Sequence, residues 1–474
     1  MNSMSRSRGA KSASSDGFVS VLEYEGGSTQ SQTFPMWLLL TGILLIPASL
    51  NIHLSGDGLK FTPGRAAITL LLLPSLFMLF RPSRHFIASD LFIFLASTWM
   101  VGSRLPYDGL NQSAAAAALE LFGGYFVGRA YFYGPRALKD FLRIFKIVIF
   151  LVISIAVLDP LLGQNVVQAA VSIITQTPVP IANQERFGIV RAASTIEMAE
   201  LYGMVCCVAG SIFLFLESSK SARYFWAGFS FFGCILSLSS GPILAFAIVI
   251  STYVYDLLLC RYSWRWKLVT AILALFLLIL SIVTQRPVSW ILSHLTLDSS
   301  TGYFRMYVFQ YIFEQINASP LVGYGFGSVG DDEFLSNVTV DCVWLVNAMR
   351  YGIPMVVLFF LANLTAYTSL GSRGLRRSAD PFVAKAATGF TQAMIAFMLV
   401  GITVHFWNAT WMFWAVCIGI RGSIKEWQRH GSPVSVNHSR LPLSPPRLAH
   451  GWRARPGRDE RYWPAATPEP DARE

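Results

Sequence analysis

Long apolar runs alternate with short polar ones along almost the whole chain. Runs such as "AAITLLLLPSLFMLF" hold no charged residue and suit a hydrocarbon environment. Segments of roughly 15 to 27 residues, most long enough to cross a bilayer with some tilt, fall near 36–54, 66–80, 86–101, 114–132, 141–159, 197–217, 222–238, 240–259, 267–284, 342–368, 383–402 and 404–421. Each is predicted to be a helix, which gives about 12. The fourth, "SAAAAALELFGGYFVGRAY", carries Glu120, and only Ser239, Ser240, Gly241 and Pro242 part the seventh from the eighth. Eleven or thirteen spans therefore stay open.

Residues 1–35 are polar and are expected to be a disordered cytoplasmic N-terminus. A cleavable signal would set a short basic start directly before its apolar run, so the first segment is expected to stay as an anchor. Residues 36–284 hold the first nine helices and an outer loop at 160–196. A second long outer loop spans 285–341, and its "FRMYVFQYIFEQI" has helical patterning, so that loop is predicted to be partly helical. Residues 342–421 hold the last three helices. The stretch 422–474 is rich in Pro and Arg and has no apolar period, which predicts a disordered cytoplasmic tail. The fold class expected is an all-α integral membrane protein with about 12 transmembrane helices and two longer outer loops.

Composition agrees. Of the 474 residues, 53% are hydrophobic and 14% charged, against about a quarter charged in soluble domains. The formal net charge of +10 does not point to nucleic acid, because no basic helix interleaved with aromatic residues is present. The cations sit in short loops: Arg81 and Arg84, Arg136 and Lys139, Lys220 and Arg223, Arg261, Arg265 and Lys267, Arg373, Arg376 and Arg377. The alternate loops before residue 160 hold only Lys60, Arg65 and Arg104. This bias places both termini in the cytoplasm. The six cysteines form no C-x-x-C or His/Cys cluster, so no metal and no cofactor is expected.

"GFGSVG", from Gly325 to Gly330, fits the G-x-G-x-x-G spacing of dinucleotide-binding loops. That chemistry needs a strand before the glycines and a helix opening after them. Here "EQINASPLV" with its proline precedes, and the acidic "DDEFLSN" follows. The glycines then serve either a re-entry turn or a close backbone approach. More chemistry lies in the arginines of the two outer loops, Arg186 and Arg191 in "RFGIVRAASTIEMAE" and Arg305 in "TGYFRMYVFQYIFEQI". A guanidinium fork suits phosphate oxygens, although each could instead pair with Glu197, Glu200 or Asp332. Asp341 at the edge of the tenth segment is a candidate base or an interfacial cap. His405 in "TVHFWN" is a candidate binding residue or an ordinary interfacial one.

These residues together resemble the O-antigen ligase and polymerase superfamily. The similarity rests on Gly302 and Arg305 before an aromatic-rich helix, then Pro320-Leu321-x-Gly323-x-Gly325, and a nine-residue spacing from Cys342 to Gly352. It covers roughly 185–370. Where ligases of this family carry His-Asn, this chain has Asp341-Cys342, which fits the exopolysaccharide polymerase branch better. The resemblance implies glycosyl transfer from undecaprenyl-diphosphate-linked oligosaccharide at the periplasmic face of the bacterial inner membrane, without cofactor or metal. Arg191 and Arg305, with Arg186, would bind the diphosphate, and Asp341 would accept the proton of the attacking hydroxyl. Tyr303, Phe304, Tyr324, Gly323, Gly325 and His405 would line the substrate. Chain-length regulator and export proteins are the partners such an enzyme would have, beside the lipid bilayer. A ligase transferring glycan to lipid or protein, a non-catalytic lipid-linked glycan transporter and an envelope scaffold remain as alternatives.

Overall fold

The computed structural model describes residues 33–53, 60–176, 183–262, 264–283, 299–326, 340–367 and 380–431. Helices dominate. The bundle is built from α1 Thr33–Leu40, continued by a π turn Thr41–Leu45, α2 Pro63–Leu79, α3 Ala88–Gly102, α4 Gln112–Tyr131, α5 Gly134–Ala156, α6 Ala199–Leu216, α7 Lys220–Leu236, α8 Ser240–Leu258, α9 Arg265–Val283, α10 Ser299–Ala318, α11 Val343–Tyr351, α12 Ile353–Tyr367, α13 Pro381–Val400 and α14 Asn408–Glu426, with further helices at Leu105–Asp108, Leu158–Leu162 and Val166–Thr175 in the connections. Two hairpins of two-residue strands pair Ile52–His53 with Lys60–Phe61 and Glu185–Arg186 with Ile189–Val190.

Each predicted apolar segment contains a helix, but the correspondence to membrane spans is looser. Among the described residues four helices are long and apolar enough to cross a membrane: Gly134–Leu162, Ala199–Leu216, Ser240–Leu258 and Pro381–Val400. The predicted span 342–368 is broken at Gly352 into α11 and α12. The segments marked from 197 and from 404 begin as helices only at Ala199 and Asn408, so Glu197 and His405 belong to connecting loops. At the other edge, α14 runs on through Glu426, and the first residues of the tail predicted from 422 are therefore helical. Most of that tail, and most of the N-terminal 1–35, lies outside the described residues.

The outward surface is apolar where a soluble protein's would be polar. Leu70, Leu73, Phe77 and Phe80 are 63% to 71% exposed along one side of α2. Their spacing of three and four residues makes a continuous stripe that water would disfavour and lipid would accept. A helical membrane protein accounts for that stripe.

At the centre, α4 lies against α14, and small residues allow the approach. A Cβ on Gly128 would stand 2.6 Å from the Val416 carbonyl oxygen, and one on Gly419 would stand 2.1 Å from that of Tyr125. Between lipid-embedded helices such close backbone packing supplies cohesion that the hydrophobic effect cannot.

One end of this pair is locked by charge. Arg129 bonds Asp90 at 3.2 Å and also Glu426, while Arg84 reaches Glu426 at 3.0 Å. The Tyr125 hydroxyl donates to Asp90 at 2.6 Å, and the His85 amide donates to Glu426 at 2.6 Å. Two cations meet two anions, so the cluster is neutral and well satisfied.

Candidate functional site

The opposite end of the bundle carries Arg186, Arg191, Asp341 and His405. The segment before α11 is fixed there because the Val343 amide donates to Gly401 at 2.9 Å and to Val404 at 3.2 Å, within the α13–α14 loop. Asp341 and His405 thus sit on adjoining segments. Asp341 stands just ahead of Cys342, the N-cap of α11, where a helix N-terminus favours a negative charge. The same loop meets the start of α8, since a Cβ on Gly241 would lie 3.3 Å from the Thr403 hydroxyl.

The arginine-bearing loop is held against the α7–α8 turn. Arg186 donates to the Leu238 carbonyl at 2.7 Å. Arg191 donates to the Ser237 carbonyl at 3.0 Å, to Gln184 at 2.7 Å and to Glu200 at 3.0 Å. Buried Asp159 organises this loop from below: its carboxylate accepts from the amides of Val166, Ala193 and Ser194 at 3.0, 2.9 and 2.8 Å. Arg191 is therefore strongly engaged with its own chain, and of the carboxylates expected as partners it pairs with Glu200, not Glu197.

The glycine turn has a clear structural task. Ile353 donates to Pro320 at 2.7 Å, Tyr324 to Met349 at 2.7 Å and Gly325 to Arg350 at 3.0 Å. The turn thereby satisfies the carbonyls that a helix end leaves orphaned, here those of α11. Gly323, Gly325 and Gly352 have φ of +64°, +74° and +83°. A Cβ on Gly352 would fall 2.0 Å from the Leu321 oxygen, and one on Gly323 would fall 2.4 Å from that of Met349. The nine-residue spacing from Cys342 to Gly352 is thus the length of α11. Buried Arg104 ties the turn from outside, donating to Val322 at 3.2 Å and Gly323 at 3.0 Å. Gly323 and Gly325 accordingly sit at the far end of α11 from Asp341, about 13 Å along a nine-residue helix. Of "GFGSVG", residues 327–330 lie outside the described ones.

Tyr303 and Arg305 fall on α10, and their side chains lie outside what the structure describes. Further along α10, Val308, Phe309, Ile312 and Ile316 form an apolar cluster with Cys342, Leu345 and Ala348 of α11. Arg305 lies one helical turn before Val308.

Several polar residues at this end carried little sequence signal. Glu120, which weakened the fourth segment, pairs with Arg65 at 2.8 Å, and Arg65 also reaches the Asn408 side chain at 3.5 Å. Near them, neither carboxyl oxygen of Glu197 has a hydrogen-bond partner of normal geometry. Burial pushes its carboxyl up to about 7, with the Glu120 charge adding and Asn408 and Arg65 opposing. His405 has a buried Nδ1 with no partner, and burial with the Arg350 charge pushes its imidazole down to about 3, so the ring is neutral. Arg350 itself lies 4.5 Å over the Phe326 ring. Among the described residues no three potential metal ligands come together.

No protein-family model matches the chain, and a search of curated proteins likewise finds no match.

Proposed function

We propose that this chain is a polysaccharide polymerase of the exopolysaccharide type, a metal-independent glycosyltransferase that uses polyprenyl-diphosphate-linked sugar donors. In this reading about twelve helices cross the bacterial inner membrane, both termini are cytoplasmic, and the end bearing Asp341 faces the periplasm. The donor is a growing glycan on undecaprenyl diphosphate, and the acceptor is a lipid-linked repeat unit. The acceptor hydroxyl attacks the anomeric carbon and forms the new C–O bond while the bond to the diphosphate breaks. Asp341 takes the hydroxyl proton, and undecaprenyl diphosphate leaves with its electron pair. Arg305, Arg191 and Arg186 offset the charge of that leaving group, and Tyr303, Tyr324 and His405 contribute to the sugar-binding surface.

The observation that carries the reading is convergence. Segments as far apart in the chain as those of Arg186 and His405, and bearing Arg191 and Asp341 as well, lie at one end of an otherwise apolar bundle, whereas the other end is a neutral ion-paired clasp. A transporter would be expected to carry such groups at mid-depth between related halves.

The test is reconstitution of the full chain in liposomes with a purified undecaprenyl-diphosphate-linked repeat unit and no nucleotide. Longer glycan is expected, with loss of lengthening in Arg305→Ala and Asp341→Asn. Absence of lengthening by the wild type, or full lengthening by both variants, refutes it.

A further inference from the structure

Four arginines differ in how their charge is met. Arg65 has Glu120, Arg191 has Glu200, and Arg104 is buried against two carbonyls. Arg350 is half-buried, yet among the described residues it has neither a carboxylate nor any side-chain hydrogen bond. Taking a cation partly out of water without a counter-charge is costly. A bland reading would make Arg350 a cation that offsets the C-terminal dipole of α11. The glycine turn already serves that terminus, because Tyr324 and Gly325 donate to the Met349 and Arg350 carbonyls. The side chain is left over.

Its surroundings suit an oxyanion. Phe326, directly after the turn, lies flat enough to hold the guanidinium 4.5 Å from its ring centroid, which leaves the N–H edge for a ligand. Tyr351 braces Phe326 edge-on at 6.1 Å.

We propose that Arg350 is an anion seat that binds the diphosphate of a lipid-linked substrate, and that the glycine turn, bonded to the carbonyls of Met349 and Arg350, holds it in place. The substrate class rests on the polymerase reading, whereas the seat itself rests on a half-buried guanidinium that has no counter-charge among the described residues. The seat lies at the far end of α11 from Asp341. That distance suits the second lipid-linked substrate, or the resting position of the diphosphate, rather than the reacting carbon.

The experiment uses the full chain in lipid nanodiscs and undecaprenyl diphosphate as probe, with binding read by native mass spectrometry and lengthening measured in parallel. Arg350→Ala is expected to weaken binding about 10- to 100-fold, as loss of a charge-assisted hydrogen bond does, and Arg350→Lys is expected to recover part of it. Arg143→Ala, at an exposed pair with Asp140, should bind like the wild type. Inorganic pyrophosphate should compete, and undecaprenol should bind much more weakly. Equal binding by Arg350→Ala and the wild type, equal binding of undecaprenol, or no binding by the wild type overturns the seat. So does a variant Asp331→Asn, Asp332→Asn, Glu333→Gln that matches the thermal stability of Arg350→Ala with binding unchanged, since the chain itself would then supply the counter-charge. If Arg350→Ala loses binding while no form lengthens glycan, the seat stands and the polymerase reading falls. If Arg350→Ala binds and lengthens like the wild type, the reverse holds.

Discussion

Replacing Glu197 by Gln should change how stability depends on pH, and the size of the change follows from where the carboxyl sits. Its folded value rises from the ordinary 4.5 to about 7 because burial disfavours the charged form more than Asn408 and Arg65 favour it. The folded protein therefore holds a proton that the unfolded chain has already released, so stability falls as pH rises through that window. Below pH 4.5 both states are protonated and nothing is lost. Between 4.5 and about 7 the loss accumulates at about 1.4 kcal/mol per pH unit, reaching at most about 3 kcal/mol, and above 7 it levels off. A Gln keeps the shape and cannot ionise. Glu197→Gln should therefore match the wild type near pH 5 and melt on the order of 4 °C higher at pH 8, taking ~2.1 cal/mol/K of unfolding entropy per residue. The assay is thermal unfolding of both proteins in one detergent from pH 5 to 8.5, read as the difference between them so that other titrating groups cancel. Parallel curves, or a mutant less stable at pH 8, would refute the reasoning.

Gly352→Ala should lower stability by more than about 2 kcal/mol, since a left-handed backbone and a collision with the Leu321 oxygen combine. Gly228→Ala, on α7 with open space around it, should be neutral or slightly stabilising in the same melt. Asp159→Ala strands three backbone amides and should cost about 3 kcal/mol. Its signature would be faster limited proteolysis between residues 183 and 198. Arg129→Met leaves Asp90 and Glu426 buried without their shared cation and should cost about 3–5 kcal/mol, seen as a lower melting temperature or loss of folded protein.

The helices were legible because a lipid-facing or buried helix must be apolar along its length, and those runs stand out in a single sequence. Gly352 did not stand out as a helix break, since apolar residues flank it on both sides. What marks it is a carbonyl contributed by Leu321, which one-dimensional hydropathy cannot register. The arginine loops were also visible, but their employment was not. Arg191 finds its partners in Ser237, 46 residues away, and in Gln184 and Glu200 nearby. Arg350 carries no signal in the sequence, because its interest lies in the counter-charge it lacks among the described residues. Glu197 reads in the sequence as a possible arginine partner, whereas in the fold Arg65 pairs with Glu120 instead.

The glycine turn and α11 also set up two fixed posts. On one side, residues 320–325 are bonded to Met349, Arg350 and Ile353. On the other, Val343 is bonded to Gly401 and Val404. The residues on either side of 327–339 are thus held by backbone bonds that 327–339 itself does not make. Insertions there should leave Asp341 and Arg350 where they are, so this stretch is a natural place for the protein to gain or lose specificity, and a convenient one for an epitope tag.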